Sequence, residues 1–161
     1  MAVLRQDIRR NVESVEEVYV SDPSIYFSLE EILKKETRDG TSRKPGSYSK
    51  AVVWLARSIC FSLEVLQRLE KGAELSLEQV VEEAYKSTLQ PWHGWISSAA
   101  YRVGLKLIPE REIFISLLIS EGQDYDGLKG DIKKLVSLLQ PFVDEIYALL
   151  RNFQLDRLKS T

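Results

Sequence analysis

The chain has 161 residues, 44% of them hydrophobic and 29% charged, which fits a single globular domain over 1–161 with a core of its own. Its formal net charge of −2 gives no global field for a polyanion, and no basic run stands out as a nucleic-acid patch. One cysteine, Cys60, excludes an internal disulfide and a multi-cysteine zinc site, and with no signal-peptide pattern at the start the expectation is a cytoplasmic protein.

Apolar residues at Val3, Leu4, Ile8, Val12, Val15, Val18 and Tyr19 recur at three- and four-residue steps, which predicts an amphipathic first helix. That helix begins with no leading loop or cap, so either its terminus frays or the chain is shortened at its N-terminus, and the second is the expectation. Ser21-Asp22-Pro23-Ser24 should end it and start a short helix through Ile25, Tyr26, Leu29, Ile32 and Leu33. Thr37 to Ser47, with Gly40, Pro45 and Gly46, reads as the longest loop, and Ser47 or Ser49 as the cap of the next helix.

Tyr48 to Lys71 is apolar around much of its circumference and is predicted to be a central helix closed by Gly72. Ser76 followed by Gln79 is a capping-box pattern that opens a helix through Val80, Ala84, Tyr85 and Leu89. Trp92 to Leu107 reads as a further helix, Arg111 to Ser120 as a short one, and Gly122 to Gly130 as a turn region. Asp131 to Leu158 reads as a long helical pattern, broken or bent at Pro141. With no strand-like alternation, the fold class is all-α, about seven helices.

Catalytic patterns are missing. His93 is the only histidine, so no two-histidine metal set exists, and glycine-rich phosphate loops are absent. The expectation is a protein that is not an enzyme and uses no cofactor or metal. What remains is a set of polar residues on otherwise apolar helices. Asp7 and Asn11 are four apart on one helix face, and Trp54 and Arg57 three apart on another. An acid and an amide at fixed separation suit sugar hydroxyls, and an indole offers a flat apolar face to a pyranose ring.

Asp7-Ile-Arg-Arg-Asn11, Trp54-Leu-Ala-Arg57 and Trp92-His-Gly-Trp-Ile96 together resemble the glycolipid transfer protein family in order and spacing. The likeness runs from about Leu4 to the final helix and lacks roughly one upstream helix. It implies a two-layer all-helical sandwich with a sugar headgroup at a surface site and ceramide tails in an apolar pocket. By position, Asp7 is similar to the acid that takes the amide N–H and a sugar hydroxyl, and Asn11 to the residue that grips the sugar. Trp54 resembles the stacking platform, His93 the donor to the ceramide amide carbonyl, and Arg57 an arginine kept beside the site. Trp95 resembles the family's interfacial tryptophan, implying transient contact with a membrane surface.

Leu4, Ile8, Ile96, Ala100, Tyr101, Val103, Leu107, Phe114, Leu118, Leu135 and Leu138 are the residues expected to line the tail pocket. Two positions depart from the family pattern: Ser14 stands where glycolipid-selective members carry lysine, and Lys159 near where they carry tyrosine. Members that bind ceramide-1-phosphate place arginine at Trp54 and lysine at Asn11, so this chain sides with sugar. The resemblance therefore implies glycosphingolipid binding and transfer. A sphingolipid sensor, a ceramide-1-phosphate-type carrier and a helical protein-interaction module without lipid are the alternatives, and a dimer is possible if the upstream helix is missing.

Overall fold

The computed structural model describes residues 2–72 and 74–160, with side chains from Arg5 onward; Leu4, expected in the tail pocket, lies outside the described side chains. Seven α-helices and one 3₁₀ turn account for the described chain, with no strand among the described residues. They are α1 (Ala2–Ser21), α2 (Leu29–Arg38), α3 (Tyr48–Lys71), α4 (Leu77–Thr88), the 3₁₀ turn (Gln90–Trp92), α5 (Trp95–Leu105), α6 (Arg111–Leu118) and α7 (Tyr125–Asn152). Among the described residues no helix is long and apolar enough to cross a membrane.

The chain divides into two compact units, Met1–Ile59 with Val143–Lys159, and Cys60–Phe142 with Ser160–Thr161. In the first unit, Leu33 of α2, Val52, Val53 and Ala56 of α3, Ile146 and Leu150 of α7 and Leu155 form the core cluster. Val15 of α1 packs against it, which orients the α1 face that also carries Asn11 one turn earlier. The Glu36 carboxylate on α2 accepts from the backbone N–H groups of Tyr48 and Ser49, capping α3 across the loop, and the Ser47 hydroxyl accepts from Lys50 N–H.

The α7 terminus shows why Gln154 takes a φ of 56°. Leu155 N–H reaches Leu150 C=O and Gln154 N–H reaches Arg151 C=O, the paired bonds of a left-handed C-terminal stop. Leu155, fully buried, provides the apolar contact that accompanies this motif.

In the second unit the capping box expected from Ser76 and Gln79 is present, both side chains bonding the reciprocal backbone N–H. Arg111 is buried at the start of α6 and donates to Leu75 C=O, Leu69 C=O and the Tyr125 hydroxyl. It thereby supplies a donor to a carbonyl in the last turn of α3, where helix carbonyls commonly need partners from outside the helix.

Several boundaries differ from the sequence expectation. Helix α2 begins at Leu29, not near Ser24, because the Asp22 carboxylate accepts from Ser24 and Ile25 N–H and closes a separate turn; Ser28 is the working cap. Helix α7 begins at Tyr125, inside the expected turn region, because Asp124 accepts from Gly127 N–H and caps it. The same helix continues through Pro141 and ends at Asn152, short of Leu158. A further difference, at His93, belongs to the site.

Candidate functional site

The sequence reading carries the Trp92–Leu107 helix through His93, but the structure breaks it there. Pro91 occupies the first positions of the 3₁₀ turn, where its missing N–H costs nothing, and His93 (ψ 133°) and Gly94 are extended before α5 starts at Trp95. Trp92 and His93 N–H both return to Leu89 C=O. Gly94, the cap of α5, has no side chain to offer, so the cap comes from elsewhere in sequence: Ser160 Oγ accepts from Gly94 N–H at 2.8 Å. Ser160 N–H donates to Trp92 C=O at 2.8 Å, and its hydroxyl also meets Ser97 Oγ at 3.0 Å. Ser160 escapes sequence reasoning because a partner more than sixty residues away leaves no periodic trace.

His93 itself is half-buried, with Tyr85 Oη 3.1 Å from its Nδ1. The Tyr85 ring is stacked on Tyr101, centroids 3.4 Å apart and 6° from parallel, and its hydroxyl also reaches Ser98 Oγ at 3.4 Å. Burial, with the nearby Glu82 carboxylate, pushes the Tyr101 phenol up to about 12. Tyr85 was legible only as one apolar position of α4; that it faces His93 depends on how the 3₁₀ turn folds back.

Asp7, Asn11, Trp54 and Arg57 all belong to the first unit, and His93 to the second. Trp54 and Arg57 are in contact, the Arg57 guanidinium carbon 4.8 Å from the indole centroid. Arg57, expected beside the headgroup, is only 1% exposed and donates through Nη2 to Asp156 C=O at 2.8 Å. Burial lowers its pKa to about 10, with Tyr147 and Asp156 pulling the other way, so it stays charged at neutral pH. Asp7 and Asn11 are half-buried on α1. Asn11 Nδ2 is fully buried with no hydrogen-bond partner among the described residues, an amide donor desolvated without protein compensation.

Arg9 and Arg10, together with Arg5, Gln6 and Glu13, line a recess of about 540 Å³ on α1 that includes neither Asp7 nor Asn11, and Arg9 is ion-paired with Glu13. Among the residues expected at the tail pocket, Ile8, Tyr101, Phe114 and Leu118 are half-buried, whereas Ile96, Ala100, Val103, Leu107, Leu135 and Leu138 are exposed. Val103 is 64%, Leu107 76% and Leu138 74% open to solvent. Ile96 and Val103 share one face of α5, and Leu135, Leu138 and Phe142 one face of α7, so the exposure follows helical stripes. Trp95, at the first position of α5, is 80% exposed.

A protein-family model described as glycolipid transfer protein matches residues 1–120. Glycolipid transfer protein 3 of Arabidopsis thaliana is 45% identical over 160 residues, a match covering 99% of this chain and 69% of that protein. Among solved structures, one of FAPP2, described as selecting simple glycosphingolipids using the GLTP-fold, aligns with a TM-score of 0.83 at 20% identity over 99% of this chain and 78% of that one. An apo structure of mouse ceramide-1-phosphate transfer protein aligns with a TM-score of 0.81 at 21% identity, over 95% of this chain and 77% of that one. These two alignments establish an all-α fold in common.

Proposed function

The chain belongs to the glycolipid transfer protein family, and we propose that it binds a glycosphingolipid and carries it between membranes without forming or breaking a covalent bond. The observation that carries this reading is the buried Nδ2 of Asn11, without a hydrogen-bond partner among the described residues and one turn from the Asp7 carboxylate on α1. A sugar hydroxyl is an acceptor for that amide and a donor to a carboxylate, so a pyranose suits both groups. Trp54 provides the stacking face for the ring, and Arg57, packed against the indole, holds that face in place instead of touching the sugar itself. His93 donates to the ceramide amide carbonyl, and Trp95 makes the reversible contact with the membrane interface.

The tails set the energy scale. At roughly 0.8 kcal/mol per buried methylene, about fifteen tail carbons correspond to ~12 kcal/mol of apolar transfer, far more than headgroup hydrogen bonds contribute. Selectivity is therefore the task of the polar residues, while affinity comes from apolar side chains such as Val103, Leu107 and Leu138, whose exposed surface an acyl chain would cover. In this reading the 161 residues act as a single lipid-carrying domain in the cytosol.

The test is transfer of a fluorescent galactosyl- or glucosylceramide between liposomes. Wild type should transfer it, and Asp7→Val and Trp54→Ala should not. Transfer that persists in both variants rejects the headgroup assignment. A lipid retained in native mass spectrometry without transfer would make the protein a sensor, and no bound lipid at all would reject the reading.

A further inference from the structure

We propose that Tyr85 is a positioning residue for His93, its hydroxyl fixing the imidazole as the tautomer that carries its proton on Nε2. The inference rests on the reading of His93 as a donor to the lipid amide carbonyl. A neutral imidazole donates from one nitrogen and accepts at the other, so His93 can serve a carbonyl only if the nitrogen meeting it is the protonated one.

Tyr85 is built to make that choice. It is 4% exposed, sits on the capped helix α4, and its ring is stacked at 3.4 Å and 6° on Tyr101, so the phenol cannot swing away without separating the pair. Among the described residues its single proton has His93 Nδ1 within reach at 3.1 Å and Ser98 Oγ at 3.4 Å. The imidazole nitrogen is both nearer and more basic, and takes it. Nδ1 is then an acceptor, and the imidazole proton resides on Nε2. Donation to Ser98 would give the opposite outcome: Tyr85 oxygen would accept from Nδ1–H, and Nε2 would present a lone pair that repels a carbonyl oxygen.

The backbone keeps the Cα of His93 beside this partner. His93 N–H is tied to Leu89 C=O, and the next residue, Gly94, is tied to Ser160, so the chain is held on both sides of the His93 Cα. A hydrogen-bonded partner on the far nitrogen that orients a functional imidazole is a general device, and here a phenol fills that position.

Because His93 is the only histidine, the test is free of assignment ambiguity. Histidine labelled with ¹⁵N is incorporated and two-bond ¹H–¹⁵N correlations are recorded at alkaline pH, where the ring is neutral. Wild type should show the Nε2–H pattern with a hydrogen-bonded Nδ1. Tyr85→Phe keeps the aromatic stack and should shift the Nδ1 resonance, through loss of that bond and appearance of the Nδ1–H form. Ser98→Ala should leave the spectrum unchanged. An Nδ1–H pattern in wild type, or an Nδ1 resonance unmoved in Tyr85→Phe, overturns the proposal. Galactosylceramide transfer is measured in parallel: it should fall in Tyr85→Phe by a smaller factor than in His93→Ala. Transfer unimpaired in His93→Ala rejects the functional reading of the histidine, whatever the tautomer.

Discussion

Arg57 lies with its guanidinium carbon 4.8 Å from the centroid of the Trp54 ring, while Nη2 of the same guanidinium is fixed by Asp156 C=O at 2.8 Å. The planar fork does two jobs at once, stacking and donating, and a lysine ammonium cannot reproduce that combination. Arg57→Lys is therefore expected to lower stability by roughly 1–3 kcal/mol in urea denaturation, with an accompanying loss of glycolipid affinity as the indole loosens. A variant with unchanged stability and unchanged affinity would show that Trp54 needs no support from beneath.

Ser160 caps α5 from the far end of the sequence, so Ser160→Ala should cost about 1 kcal/mol, the usual worth of an N-cap hydroxyl. The local signature is faster hydrogen exchange at the Gly94 amide, which loses its acceptor, with little change at the Val80 amide of α4, bonded to Ser76 C=O. Unchanged exchange at Gly94 would mean that the contact contributes nothing in solution.

Tyr101 gives a pH dependence of definite sign. Burial first, and the neighbouring Glu82 second, raise its phenol from 10.0 to about 12. The unfolded chain loses this proton through pH 10 while the fold retains it, so the stability contribution is complete below that pH and is lost as pH rises to about 12. Tyr101→Phe cannot ionise and should lose less stability than wild type between about pH 9.5 and 11.5, measured as the shift in urea midpoint. Parallel declines in the two proteins would refute the burial account.

Much of this fold was legible because its signals are local. The Ser76–Gln79 capping box, the apolar run of α3 and its Gly72 stop, and the stripe of α1 each depend on residues within a turn or two of one another. Boundaries were misread where two local signals competed. Asp22 captures the turn that Ser24 was expected to open, and Asp124 starts α7 despite Gly127 and Gly130, whose composition reads as loop. The candidate site was less legible than the fold. Asp7, Asn11, Trp54 and His93 are candidates by residue type and by family resemblance, but spacing could not reveal that Arg57 lies buried against Trp54, that Tyr85 meets His93, or that Ser160 closes the His93–Gly94 break. Those facts depend on through-space contacts over long sequence separations.

Asn11 holds the central claim, since its desolvated Nδ2 is the feature on which the proposed sugar contact rests. The most direct measurement compares transfer of galactosylceramide and of ceramide-1-phosphate, with identical acyl chains, by wild type and by Asn11→Leu. Wild type should favour the galactolipid, and Asn11→Leu should lose roughly 1–3 kcal/mol of that preference, about fivefold to 150-fold, while tail-driven binding persists. Equal transfer of the two lipids by wild type, or an undiminished galactolipid preference in Asn11→Leu, would contradict the assignment of this protein as a sugar-selective lipid carrier.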